Sequence, residues 1–118
     1  MYKCINGWTK ERMIAQIKLK NDDTPSMAYD TEGTIGVCAY RGSNNNACAM
    51  GCFIPDELYK PEMEGRNATI LLQENLDLAK LMPLHPSAMR RLQGIHDSYL
   101  YLTGVHKALI EWINENVE

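Results

Sequence analysis

Hydrophobic residues recur at helical spacing in several parts of the chain. Met13, Ile14 and Ile17 lie on one face behind Thr9, which can cap a helix over residues 9–20. The same spacing predicts one or two short helices over residues 67–81 and single helices near 87–101 and 104–116. Their apolar positions are Ile70, Leu71, Leu76, Leu78 and Leu81, then Met89, Leu92, Ile95 and Tyr99, then Val105, Leu109, Trp112 and Ile113.

The middle of the chain has a different pattern. Residues 35–40 are β-branched and aromatic and predict a strand, and the glycine and asparagines of 42–46 predict a turn. Residues 47–53 can return as the second strand of a hairpin or begin a helix. We therefore predict a single domain over residues 1–118 of the α+β class, predominantly helical, with a small two-stranded hairpin covered by helices.

Composition adds limits to this picture. The chain has 118 residues, a formal net charge of -3 and 45% hydrophobic residues, as an ordinary globular domain does. No segment approaches the about 20 apolar residues that a membrane span needs, and the first residues lack the apolar region of a secretory signal. We therefore expect a cytoplasmic protein without a membrane partner, in which the cysteines are reduced thiols.

The first helix is basic, since residues 1–20 carry five cations and one acid. Lys10 and Arg12 are therefore candidate contacts to a phosphate or to an acidic partner. A solvated helix face is the simpler interpretation of both. The acidic overall charge and the low aromatic content argue against nucleic acid as the partner.

Three of the four cysteines fall within residues 38–65. Cys48 and Cys52 are four positions apart, and Cys38 lies ten positions upstream of Cys48. This spacing is looser than the paired Cys-x-x-Cys knuckles of structural zinc sites, so we expect no bound metal. A site completed by His85 or His96 is the alternative. Buried thiols that act as small hydrophobic side chains are the simpler interpretation.

Cys48, His96 and Asp97 are the candidate catalytic residues, as nucleophile, base and orienting acid. Adjacent helical residues point about 100° apart, which argues against Asp97 orienting the neighbouring imidazole. No glycine-rich phosphate loop is present, so no cofactor is expected. The pattern favours a protein without catalytic activity over a Cys/His-dependent enzyme.

Further polar residues of the same segment are candidate binding residues. They are Arg41, Asp56, Tyr59 and Glu64. Together with His96 and Asp97 they could converge between the hairpin and the helix near residues 87–101. There they would line a pocket or form a closed polar cluster that fixes the fold.

The order of these elements resembles a known pattern. It comprises Cys38-x-Tyr40-Arg41, then Cys48-Ala49-x-Gly51-x-x-Ile54-Pro55-Asp56-x-x-Tyr59-x-Pro61-Glu62-Met63-Glu64-Gly65, then Leu92-Gln93-x-x-His96-Asp97. The chain thereby resembles a group of small uncharacterised proteins of bacteria, phages and prophages. No activity is established for that group, so the resemblance implies a phage or prophage setting and no particular reaction.

Two functions are consistent with these features. The first is a small phage or mobile-element interaction protein that binds and modulates a host or defence protein. Anti-CRISPR or other anti-defence activity is the most specific version of this hypothesis. The alternative is a small-ligand-binding protein or a Cys/His-dependent enzyme that uses residues 38–65 with His96. The absence of a recognised catalytic motif favours the first function.

Overall fold

The described part of the chain contains five α-helices. The structure, a computed structural model, describes residues 1–21, 27–29, 36–38, 40, 47–98 and 104–118, and gives only the backbone for 27–29 and 36–38. The helices are α1 (Lys10–Lys20), α2 (Ala68–Glu74), α3 (Leu76–Ala79), α4 (Pro86–Asp97) and α5 (Val105–Asn116). Two single 3₁₀ turns, Gly51–Phe53 and Pro61–Met63, lie between α1 and α2.

Local signals in the sequence set where the helices begin. The Thr9 side chain accepts a hydrogen bond from the backbone N–H of Arg12, and Asn67 does the same for Ile70 at the start of α2. Pro86 occupies the first turn of α4, where its missing N–H costs nothing. Gly104 precedes α5 with a φ of 93°, a conformation that favours glycine. The predicted helices are thus confirmed over their described residues.

The helical region predicted over residues 67–81 is divided in two. Asn75 has a φ of -131° and a ψ of 76°, which is outside the helical range and separates α2 from α3. Its side chain donates a hydrogen bond of 2.9 Å to the carbonyl of Leu71. The bond satisfies one of the last carbonyls of α2, so the break is stabilised locally.

The helices pack around one apolar core. α4 contacts both α2 and α5, α5 also contacts α1, and the Gly51–Phe53 turn lies against α1. Large side chains that are fully buried include Met13, Ile17, Leu71, Met89, Leu92, Leu109 and Ile113. These positions lie on the apolar faces that the sequence pattern predicts for the helices.

The two ends of the chain are joined. The backbone N–H of Tyr2 donates to the carbonyl of Asn116 at 2.8 Å, and that of Glu118 donates to the carbonyl of Tyr2 at 2.9 Å. The Tyr2 ring stacks on Trp112 with centroids 5.7 Å apart. The N-terminal segment is therefore fixed along the end of α5.

The prediction of an α+β fold was wrong, and the fold is all-α. Residues 47–53, the expected second strand of the hairpin, form a helical turn in which Cys52 N donates to Cys48 O at 2.9 Å. The described strand pairing instead joins Met27–Tyr29 to Gly36–Cys38, with three residues on each side. A ladder this short does not define a class, whereas the helices supply the described core.

Candidate functional site

The Glu64 carboxylate links two tyrosines of residues 38–65, Tyr40 and Tyr59. Its Oε1 accepts the backbone N–H of Tyr40 at 2.8 Å, and its Oε2 accepts the Tyr59 hydroxyl at 2.6 Å. The Tyr40 hydroxyl donates in turn to the carbonyl of Arg66. Tyr59 and Glu64, two of the predicted binding residues, therefore meet in a hydrogen-bonded cluster.

Gln93 links this part of the chain to α4. Its Oε1 accepts the backbone N–H of Met50 at 2.8 Å, and its Nε2 donates to Asp97 Oδ1 at 2.9 Å. The side chain is buried, so both ends of the amide are used where water cannot replace its partners. The sequence did not indicate that Gln93 connects Met50 to α4, although Gln93 lies within the Leu92-Gln93-x-x-His96-Asp97 element.

The side chains of His96 and Asp97 approach each other on α4. The Nδ1 atom of His96 is 3.4 Å from Asp97 Oδ1, a long but real approach between neighbouring side chains. The same Asp97 oxygen accepts the shorter Gln93 bond, and it stays a prediction that Asp97 does not orient the imidazole. His96 is fully buried and Asp97 is half-exposed.

Cys48 is placed as a structural thiol. Its side chain is fully buried, and its Sγ accepts the backbone N–H of Gly51 at 3.3 Å. With both Cys48 and His96 fully buried, a substrate cannot reach the proposed nucleophile and base in this conformation. The structure therefore shows both candidate catalytic side chains enclosed in the core.

Gly51 explains why the turn around Cys48 packs so closely. A Cβ atom at this position would lie 2.2 Å from the carbonyl oxygen of Tyr40. Only glycine lets the two backbone segments approach this far. The contact fixes the Gly51–Phe53 turn directly against Tyr40.

The remaining predicted binding residues lie elsewhere. Asp56 is exposed, and its carboxylate is 3.8 Å from Lys20 Nζ at the end of α1. The Lys10 ammonium donates to the carbonyl of Asn114 at 3.3 Å, and the Arg12 guanidinium lies 3.9 Å above the Trp8 ring. These cations of the first helix therefore make contacts within the protein. Arg41 lies outside the described residues.

A shallow cavity of about 380 Å³ borders the polar cluster. Gln93 and Asp97 face it from α4, and Tyr40 and Arg66 line the opposite side. Gly94 also lines it, and a Cβ there would meet no atom within 4 Å. His96 is therefore enclosed, whereas its neighbour Asp97 borders the cavity.

A second cavity is a groove that the sequence did not predict. It lies between α2, α3 and the first half of α4 and has a volume of about 850 Å³. We call it the α2–α4 groove. Its main lining residues are Leu72, Leu76, Ala79, Ser87, Arg90 and Arg91. The volume falls within the range of about 300–1,000 Å³ that is typical of ligand sites.

The groove combines an apolar floor with a basic wall. Leu72 is buried at its base, whereas 67% of the Leu76 surface is exposed. Arg90 and Arg91 are both exposed, and no lining residue in the described part of the chain is acidic. The only sequence signal was the Arg90-Arg91 pair on the polar side of α4, which alone is typical of a solvated helix face.

The described residues give little support to other kinds of site. Among them, no three His, Cys, Asp or Glu side chains converge as a metal site requires. No helix in the described ranges is long and apolar enough to cross a membrane. Cys4, Cys48 and Cys52 are present as thiols, and burial raises the pKa of the Cys4 thiol.

Comparison of the chain with protein-family models, with curated proteins and with solved structures finds no match. The resemblance to small phage and prophage proteins therefore stays a prediction.

Proposed function

We propose that this chain is a small interaction protein of phage or mobile-element type that binds a host or defence protein and modulates its activity. The α2–α4 groove is the observation that carries the proposal, because it exposes Leu76 beside Leu72 in an open concave surface. A concave surface that combines an exposed apolar side chain with a few polar groups is typical of a binding site. The resemblance to phage and prophage proteins supports the mobile-element setting.

Burial of the candidate catalytic residues favours binding over catalysis. Cys48 and His96 are both fully buried, and their neighbours Met50 and Gln93 are held by a direct hydrogen bond. Opening this cluster to a substrate would leave buried polar groups without partners. The thiol state of the described cysteines supports a reducing compartment, and we propose the cytoplasm.

An affinity capture with matched variants tests the proposal. The tagged chain, a Leu76→Glu variant and a Leu19→Glu variant are incubated with host lysate and with purified defence complexes. Leu19 is 73% exposed on α1, away from the groove, and is the matched control. We expect the unaltered chain and Leu19→Glu to retain a stoichiometric partner that Leu76→Glu loses. The absence of any such partner with the unaltered chain would contradict the proposed function.

A small-ligand-binding protein is the second candidate. The volume of the α2–α4 groove favours it, since about 850 Å³ is enough for a metabolite-sized ligand. A thermal-shift screen of nucleotides and metabolites would detect such a ligand as a rise in Tm. The rise should disappear in Leu76→Glu and persist in Leu19→Glu.

A further inference from the structure

We propose that the α2–α4 groove binds an acidic amphipathic helix of the partner protein. The inference rests on the proposed function and names the chemistry of the bound segment. Apolar side chains of that helix would pack on the exposed Leu76 beside the buried Leu72, and its carboxylates would pair with Arg90 and Arg91. The four residues all line the same groove.

Local charge is the first argument for an acidic segment. The chain as a whole is acidic, with a net charge of -3, yet this groove presents two arginines. The acids of α2 and α3 do not line the groove: Glu74 and Asp77 line a neighbouring cavity that shares Leu76 with it. Glu74 is also 3.7 Å from the Arg66 guanidinium. A carboxylate in the groove would therefore meet arginines without a competing acid from the lining.

The two arginines are available for such a contact. Among the described residues, the structure contains no ion pair to Arg90 or Arg91. A planar guanidinium can hold a carboxylate through two parallel hydrogen bonds, which gives orientation as well as affinity. Both side chains are exposed, so pairing with a partner requires no rearrangement of the core.

The start of α4 does not supply the recognition. The His85 imidazole accepts the backbone N–H of Ser87, and the next two N–H groups donate to the His85 carbonyl at 2.9 and 3.0 Å. The first turn is therefore already capped. Selectivity for an acid must come from the arginine side chains, which can be changed without disturbing the cap.

The shape of the groove suits a helix. One wall is the first half of α4, where residues 86–91 extend for about 9 Å, and the opposite wall is the α2–α3 pair. Helices bind such grooves through apolar residues at i, i+3, i+4 and i+7. Leu72 and Leu76 both line the groove, and the exposed Leu76 side chain provides an apolar contact for that pattern.

A displayed library of random peptides about 15 residues long, which span about 22 Å as a helix, tests the inference. The full chain is the immobilised target. We expect enriched peptides to be net acidic, with apolar residues at helical spacing. Their affinity should fall at least about tenfold for the Arg90→Glu/Arg91→Glu variant and should decrease as salt is raised.

Two controls separate charge recognition from a loss of folding. Lys18→Glu/Lys107→Glu makes the same change in net charge at exposed positions on α1 and α5 and should bind the peptides normally. Peptides in which every acid is replaced by lysine should bind Arg90→Glu/Arg91→Glu better than the unaltered chain. Recovery of binding by this exchange requires a folded groove.

Several outcomes would overturn the inference. They are the absence of enriched peptides, enrichment of basic or neutral peptides, and equal binding to the arginine variant. Occupation of the groove by a metabolite in place of peptides would overturn it as well. If lysate capture still yields a stoichiometric partner in any of these cases, the proposed function stands and only the acidic-helix inference fails.

Discussion

The backbone N–H of Met50 donates a 2.8 Å hydrogen bond to the side-chain oxygen of Gln93, 43 positions later in the chain. The bond joins the buried turn after Cys48 to the middle of α4. Because the other end of the same amide holds Asp97, one side chain fixes both the turn and the polar edge of the shallow cavity. A buried polar side chain whose hydrogen bonds are satisfied in this way makes the local structure more rigid.

Replacing Gln93 by leucine should destabilise the protein. The buried Met50 N–H would lose its acceptor, and such a loss lowers the free energy of unfolding by about 1–3 kcal/mol. Urea denaturation followed by circular dichroism measures the change. Gln73→Leu, at an exposed position on α2, is the control and should alter stability by less than about 0.5 kcal/mol. Equal stability of the two variants would contradict the role of Gln93.

Substitution of Gly51 by alanine should also destabilise the fold. The new Cβ would lie 2.2 Å from the Tyr40 carbonyl oxygen, so two backbone segments must move apart. Overpacking of this kind costs about 1–3 kcal/mol. Thermal and urea unfolding of Gly51→Ala against the unaltered chain provide the measurement.

Gly94→Ala is the matched control, because the same change is made in open space. A Cβ on Gly94 meets no atom within 4 Å, and the residue lies inside α4. Alanine should therefore raise the free energy of unfolding by about 0.5–1 kcal/mol through its better helix propensity. If both alanine variants shift stability in the same direction, the close approach of Gly51 to Tyr40 is not the cause.

The Tyr59 hydroxyl should contribute to stability through Glu64. Tyr59→Phe removes the donor 2.6 Å from Oε2, and we expect a loss of about 0.5–1.5 kcal/mol in urea denaturation. Tyr2→Phe retains the ring stacked on Trp112 and is the control. A loss in Tyr59→Phe no larger than that in Tyr2→Phe would contradict a stabilising role for the hydroxyl.

Local sequence signals predicted the helices, whereas long-range contacts determine the structure of residues 47–53. Thr9, Asn67, Pro86 and Gly104 act within a few residues of the helix starts that they mark. The apolar run at 47–53 has no clear period, which leaves strand and helix equally open. Its turn is fixed by distant partners, so the strand interpretation and the α+β class failed together.

The candidate site was likewise only partly predictable from the sequence. The pattern drew attention to Tyr59, Glu64 and His96, and their side chains lie in buried or half-buried contacts. Their chemistry depends on burial, which the sequence does not show. The α2–α4 groove was missed because it exists only where α3 and α4 face each other, and neither helix has an unusual pattern alone.

Thiol reactivity tests whether the polar cluster is structural or catalytic. In the native protein at neutral pH, we expect iodoacetamide to modify Cys4 well before Cys48, because Cys4 is half-buried and Cys48 is fully buried. Burial raises the Cys4 pKa, so less thiolate is present at neutral pH and its modification should accelerate as pH rises. Peptide mapping by mass spectrometry assigns each site. Cys4→Ser is the control and should leave the slow modification of Cys48 unchanged. Unfolding in urea should accelerate the modification of Cys48. Rapid native modification of Cys48 would instead support the Cys/His-dependent enzyme.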